Sequence, residues 1–409
     1  MRRPRRHPSE DLMLPTSLMR RLALVALPLA LAAGMAPTAA EPGVTADSLK
    51  IGILGSLTGP FAIFGSGNLA GATLAFEQAN AAGGIHGRKL EWLSLDDESS
   101  PPKGIAAYKR LVGPEQVFAV FGPSASAVGQ AMVQTFKTST TPTFISVFST
   151  PIVTDPPLPN VFRTGPMNDR EQGVAIANYA LDHLKAKRVA LIRQSDEYGK
   201  SGGESVLQRL KARGAEPVAL EVFNVYDTDF NAQLTKIAAA RPDVLVVYGY
   251  PNPSAIITRQ ARQLGVQGVV LGSNSAGSRK YPEIVGKAAA GTQNIMTLEI
   301  LPESSSTPQA QAFREAFVAR FPDLARQGRP DLGGALGYGG ALAFLEGIKR
   351  AGAQPTQQGL VKALESLQGF RCPPPSVPAY ARATAPSASW RSATICRAAS
   401  CPSWSASMA

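Results

Sequence analysis

Asn80-Ala81-Ala82-Gly83-Gly84-Ile85-His86-Gly87-Arg88-Lys89-Leu90 is the stretch on which the fold of this chain turns. Before it, the apolar run over residues 49–54 reads as a strand, Gly59-Pro60-Phe61-Ala62-Ile63-Phe64-Gly65 as a Gly-rich loop, and residues 69–81 as a helix. After it, residues 90–95 read as a second strand, with Asp96-Asp97 directly behind. Strand, loop, helix and strand in that order is the βαβ unit of a parallel sheet.

The alternation continues outward. Strands are expected over residues 117–121 and 143–146, with helices over 103–111 and 127–136. A second series has helices over 170–184, 200–213, 230–240 and 254–264 and strands over 188–193, 217–223, 244–248 and 269–272. Two such sheets exceed one core, and about 330 residues is the size of two domains. The extended run Asn160-Val161-Phe162-Arg163-Thr164, between Pro-rich loops, reads as the first crossing between lobes. The return crossing is expected near residues 297–302, before helices over 309–321, 335–351 and 359–367 rejoin the first lobe. The fold class is therefore α/β, with two Rossmann-like lobes, each a parallel sheet with flanking helices. Lobe one takes residues 47–163 and 298–370 and lobe two residues 164–297.

The 80–90 motif and this order of elements resemble bacterial substrate-binding proteins of the branched-chain amino-acid transport family, the Leu/Ile/Val-binding group of type I periplasmic binding proteins. The resemblance covers most of residues 47–370. It implies a multi-strand hinge between the lobes, a cleft that closes on a small solute, and delivery to an inner-membrane ABC permease. The family often carries a disulfide whose two positions are Ser99 and Ala125 in this chain, so that staple is missing.

The two ends differ from the body. Met19-Arg20-Arg21, the apolar run over residues 22–33 and the small residues Thr38-Ala39-Ala40 read as a cleavable secretory signal with cleavage near Ala40. A membrane anchor needs about 20 apolar residues, and this run is shorter and interrupted by Pro28. Residues 1–18, Arg-rich with Glu10 and Asp11, read as an upstream extension, with Met13 or Met19 as alternative starts. A periplasmic location follows from this reading. At the other end, residues 371–409 are rich in Ala, Ser, Pro and Arg, lack Lys, Asp and Glu, and show no apolar periodicity. Such a composition cannot bury a core. The expectation is a low-complexity tail, read out of frame from about codon 370 or else disordered.

The ends also explain the charge. The chain carries 41 Lys and Arg against 30 Asp and Glu, a net +11. Residues 1–40 hold six Arg against two acids and residues 371–409 hold four Arg and no acid, which leaves the body at +3. A polyanion-binding surface is thereby excluded as the source of the charge, and no nucleic-acid partner is expected. All three cysteines, Cys372, Cys396 and Cys401, lie in the tail. An exported body without thiols has nothing to mispair.

Site residues are sought just after strands, because in open parallel sheets ligands bind beyond the carboxyl ends of the strands. Gly122-Pro123-Ser124-Ala125-Ser126 and Ser146-Val147-Phe148-Ser149-Thr150 each follow a lobe-one strand. A serine at Ser126 would cap a helix in any protein. The resemblance implies that Ser126 and the Phe148-Ser149-Thr150 segment, through its backbone and the Thr150 hydroxyl, hold a ligand carboxylate. It also implies that Phe64, where the family usually has an aromatic, and Tyr198 and Tyr250 of lobe two face the ligand. Aromatic faces suit an apolar side chain or an ammonium group. Asn274 stands where amino-acid binders of the family usually have a Glu that pairs with the α-ammonium. Asp196 and Glu197 are the nearby acids left to compensate. An amine-free aromatic or aliphatic carboxylate is therefore a rival to a branched-chain or related hydrophobic amino acid.

Catalytic and cofactor patterns fail. Gly199-Lys200-Ser201 lacks the earlier Gly of a phosphate-binding loop, since Gln194 stands there. Gly52, Gly55, Gly59, Gly65 and Gly67 do not make the dinucleotide fingerprint, and His7, His86 and His183 lack metal spacing. The expectation is a monomeric binding protein, not an enzyme, with no cofactor and no metal. A ligand sensor of a signalling system is the reading from another class, because the same lobes serve both roles.

Overall fold

The computed structural model describes residues 41–164, 168–278, 280–289, 292–294, 308–328, 330–367, 371–372 and 377–378. Every element below lies in the unit that begins at Pro42. Five parallel strands form the first sheet: β1 (Ser48–Gly55), β2 (Lys89–Asp96), β3 (Ala119–Phe121), β4 (Thr143–Ile145) and β5 (Val161–Arg163), in the order β2-β1-β3-β4-β5. A second sheet repeats the plan with β6 (Val189–Gln194), β7 (Ala219–Phe223), β8 (Val244–Tyr248), β9 (Val269–Gly272) and β10 (Thr292–Asn294), ordered β10-β9-β8-β6-β7. Counted within each sheet, both orders are 2-1-3-4-5. In that order the connections diverge between the first and third strands, and the crevice they leave at the carboxyl ends is where ligands sit.

The helices pack on both faces. In lobe one these are α1 (Ala62–Ala81), α2 (Pro101–Val112), α3 (Ser126–Ala131) and α4 (Val133–Thr138). Lobe two has α5 (Asp169–Asn178), α6 (Glu197–Ala212), α7 (Asn231–Ala239), α8 (Pro251–Gln263) and α9 (Lys280–Val285). The last group is α10 (Pro308–Arg320), α11 (Pro322–Arg326), α12 (Leu332–Arg350) and α13 (Gln357–Glu365). Strands buried on both faces read as continuous apolar runs, and β8, Val-Leu-Val-Val-Tyr, is buried throughout.

The last helices return to lobe one, and α12 packs along α1. At Gly71 an added Cβ would lie 2.1 Å from the Gly334 carbonyl oxygen, so this seam admits no side chain there. Phe344 of α12 then enters an aromatic cluster with Phe76, Phe121 and Phe144. Its complete burial contributes roughly 1.5–3 kcal/mol.

The 80–90 motif has a plain mechanical role. The Asn80 side chain donates to the Leu90 carbonyl at 2.8 Å and accepts from the Leu90 N–H at 2.7 Å, which docks the helix end on β2. His86 Nε2 lies 2.8 Å from the Lys349 carbonyl oxygen, and Arg88 donates to Thr45 and Ala353, each at 2.7 Å. The loop thus ties the end of α12 to the first strands.

Two helices differ from expectation. The helix expected from residue 69 begins at Ala62, so Phe64 lies in a helical first turn and not in a loop. Glycines lower helix propensity by about 1 kcal/mol each, which is why residues 59–65 read as loop. Packing overrides that preference: a Cβ at Gly65 would lie 2.0 Å from the Ser56 carbonyl oxygen, so only Gly lets α1 start against the end of β1. The single helix expected over 127–136 is two short ones, α3 and α4, divided at Met132.

The first crossing is anchored by β5, the edge strand of sheet one, from which the chain enters α5 of lobe two. The return crossing near 297–302, the signal segment and most of the tail lie outside the described residues. Within the tail, Arg371–Cys372 and Val377–Pro378 pair antiparallel.

Candidate functional site

Three loops at the carboxyl ends of sheet one and three of sheet two meet in one cavity of ≈ 30 Å³. Lobe one contributes Phe61 and Phe64 after β1, Ser126 after β3, and Val147, Phe148 and Ser149 after β4, together with Leu332 and Leu336 of α12. Lobe two contributes Tyr198 after β6, Tyr250 after β8, and Asn274 and Ser275 after β9. At roughly 10–15 Å³ per water-sized sphere, the space holds two or three such spheres, and residues of both lobes line it.

The loop after β1 is shaped by Asp96 and Asp97. Asp96 Oδ1 accepts from the Leu57 and Glu98 N–H groups at 2.8 and 2.7 Å, and its Oδ2 accepts from the Thr58 hydroxyl at 2.7 Å. Partial burial raises the Asp96 carboxyl, but these hydrogen bonds outweigh it and hold it below its usual value. Asp97 is buried, accepts from Ser56 Oγ at 2.6 Å and from the Ser99 N–H at 2.9 Å, and is pushed up by that burial. Ser99, one of the two positions of the missing staple, donates to the Thr58 carbonyl at 3.0 Å and accepts from the Phe61 N–H at 3.1 Å. A serine therefore ties this loop locally and sets Phe61 and Phe64, whose rings lie 5.2 Å apart.

Ser126 is buried at the start of α3, with Ala125 as the capping residue and no side-chain cap bond. Its hydroxyl accepts from the Ser149 N–H at 3.4 Å, so it serves the cavity wall and not the helix end. Thr150 is fully buried but does not line the cavity. Its hydroxyl donates across the lobes to Glu197 at 3.0 Å. Beside it, Ser149 Oγ donates to Asp169 Oδ1 at 2.6 Å, and Arg163 donates to the Ser149 and Thr150 carbonyls at 3.1 and 2.9 Å.

Lobe two offers an aromatic wall. Tyr198 stacks on Tyr250 at 5.4 Å with ring planes 19° apart, and Phe61 meets Tyr250 from lobe one at 5.0 Å. Aromatic pairs of this kind add about 0.5–1.5 kcal/mol beyond area burial. The Tyr198 hydroxyl lies 2.9 Å from Ser273 Oγ and 3.1 Å from Asn274 Oδ1, two acceptors for its single proton. Burial raises both Tyr198 and Tyr250, so they remain neutral phenols.

Behind the wall sits Asp169, fully buried and pushed up to about 7 by that burial, against hydrogen bonds from Ser149 and Tyr248 and the charge of Arg163. Tyr248 OH donates to its Oδ1 at 3.1 Å, while its Oδ2 has no hydrogen-bond partner among the described residues.

Of the residues singled out in the sequence, Phe64, Ser126, Phe148, Ser149, Tyr198, Tyr250 and Asn274 share the cavity. Phe61, Val147, Ser275, Leu332 and Leu336 were not anticipated. Phe61 had a signal, an aromatic directly after Gly59-Pro60 beside Phe64. Leu332 and Leu336 had none, since they reach the cavity only through the α1–α12 seam.

Two doubly wound lobes with a cavity at both switch points, walled by aromatics and hydroxyls, define a bilobal solute-binding protein. The chain matches the periplasmic binding protein family over residues 48–391, and it belongs to that family. It is 28% identical over 285 residues to the leucine-, isoleucine-, valine-, threonine- and alanine-binding protein of Pseudomonas aeruginosa, covering 69% of this chain and 74% of the relative. The branched-chain amino acid transporter substrate-binding protein of Streptococcus pneumoniae, solved with isoleucine, superposes with a TM-score of 0.71 at 27% identity, covering 80% of this chain and 90% of that one. A solute-binding protein of an ABC transporter from R. palustris, solved with benzoate, shares the fold with a TM-score of 0.70 at 22% identity, covering 80% and 88%. Relatives of this kind are binding proteins, and the family implies a periplasmic location.

Proposed function

We propose that this protein is the extracytoplasmic solute-binding component of an ABC importer, and that it captures a small carboxylate with an apolar body, of the size of a branched-chain amino acid, by closure of its two lobes. The observation that carries this reading is the cavity itself. Phe61, Phe64, Leu332 and Leu336 of lobe one and Tyr198 and Tyr250 of lobe two enclose an apolar body, while Ser126 and the Ser149 backbone lie at its edge. A ligand shifts an open–closed equilibrium only if it contacts both lobes. The names of the Pseudomonas and Streptococcus relatives support a hydrophobic amino acid or a close analogue as the solute. Export through a cleavable signal near Ala40, a monomeric state and an inner-membrane permease as partner complete the proposal.

Thermal-shift measurement tests it, because a solute that binds only the folded state raises its melting temperature. Against amino acids, 2-oxo acids and plain carboxylates of four to seven carbons, at least one carboxylate is expected to raise the melting temperature in a saturable way. No response from any of them, with the protein folded, would overturn the reading.

A further inference from the structure

We propose that the solute is a carboxylate that carries no amine, an unsubstituted or 2-oxo acid with a branched or aromatic body. This deepens the preceding section and rests on its reading of the cavity as a carboxylate site. Three observations lead to it.

None of the described residues lining the cavity carries a charge at neutral pH: they are aromatic, aliphatic, serine and asparagine side chains. A zwitterion needs a counter-charge for its ammonium group, and burial of that group without one is costly.

Lobe two lines the cavity with neutral polar groups, among them the amide of Asn274. Asn274 is buried, and its Oδ1 lies 3.1 Å from the Tyr198 hydroxyl. Its Nδ2 group is a pair of donors, which suits a carbonyl or carboxylate oxygen and not an ammonium group. Its neighbour Ser275 directs its hydroxyl proton to the Gly249 carbonyl. Either edge of an amide would in any case present no charge.

Asp169, Asp196 and Glu197 do not line the cavity. Glu197 accepts from Thr150 at 3.0 Å, and Asp196 accepts from the Gly199 N–H at 3.1 Å. Asp169 accepts from Ser149 at 2.6 Å and from Tyr248 at 3.1 Å, and its other oxygen is sealed from solvent. Burial pushes all three carboxyls up, toward the uncharged acid. The described residues that line the cavity thus offer an amine no carboxylate.

The test uses one carbon skeleton with four head groups: leucine, 4-methyl-2-oxopentanoate, 4-methylpentanoate and 4-methylpentanamide, titrated calorimetrically into the full chain at neutral pH. The two amine-free acids are expected to bind at least about tenfold more tightly than leucine, and the amide is expected to bind more weakly than either acid. In Asn274→Glu the order of leucine and the amine-free acids is expected to reverse. Leucine binding as tightly as the amine-free acids or more tightly, with the amide still weak, would overturn this proposal and leave the carboxylate reading standing. An amide that equals the acids would overturn the carboxylate reading and this proposal with it. Should Asn274→Glu not fold, the ranking on the unaltered chain decides alone.

Discussion

Lobe one and lobe two meet the same cavity with different kinds of surface. Lobe one brings short loops whose geometry is set by carboxylates and serines behind them: Asp96, Asp97 and Ser99 shape the loop after β1, and Arg163 and Asp169 hold the loop after β4. Lobe two brings aromatic faces, Tyr198 stacked on Tyr250, with the Tyr198 hydroxyl set beside Ser273 and Asn274. The two sheets have the same strand order, so topology does not make this difference. It arises from the few residues placed after each strand. One wall orients a polar head group through donors, and the other supplies area and shape.

The largest break in this contrast is Tyr198→Ala. It removes a buried ring that packs on Tyr248 and Tyr250, and large-to-small aromatic changes cost about 3–5 kcal/mol. Denaturant unfolding is expected to show that loss, with solute-induced stabilisation abolished. A result under about 1 kcal/mol would mean the aromatic wall is not a packed unit.

Next is the acid that underlies both walls. The folded-state carboxyl of Asp169 is raised from 3.8 to about 7. A raised acid contributes stability that is fully present below its unfolded value and is lost as pH rises through the folded value. Stability is thus expected to fall between pH 4 and pH 7, and Asp169→Asn, which keeps an acceptor for Ser149 and Tyr248, should flatten that fall. The difference is up to about 4 kcal/mol at pH 8, read from unfolding midpoints across pH. An unchanged profile would place the titration elsewhere.

Ser126→Ala sharpens the role of lobe one. Loss of a hydrogen bond to a charged group costs about 1.5–3 kcal/mol, so carboxylate affinity should weaken roughly 10- to 100-fold with little change in the unfolding midpoint. A stability loss with unaltered affinity would make Ser126 a structural residue. The smallest effect is expected from Thr150→Val, which removes the cross-lobe bond to Glu197. About 0.5–1.5 kcal/mol is expected, seen as a small shift toward the open form in small-angle scattering.

Much of this was legible along the chain, and for a physical reason in each case. The strand over 244–248 and the helix ending at residue 81 declare themselves because sheets and helices impose periods on apolar residues. Tyr198, Tyr250, Ser126 and the 148–150 loop could be singled out because they follow parallel strands at positions to which the family resemblance gives the ligand. Helix α1 was cut short because seven residues rich in Gly argue against a helix. Only the close approach of Gly65 to Ser56 reveals that this glycine is there for packing. Thr150 read as a cavity donor, and its hydroxyl is instead turned to Glu197.

The sequence by itself determined the two doubly wound sheets, the loops that carry the site and the absence of a charge at Asn274, because these depend on residue type and local order. Tertiary structure alone decided that Leu332 and Leu336, over 260 residues from Phe64 along the chain, close the same cavity. It alone decided which oxygen each hydroxyl serves, and that Asp169 is sealed from water. Burial and hydrogen-bond direction belong to three-dimensional neighbours, and no pattern along the chain encodes them.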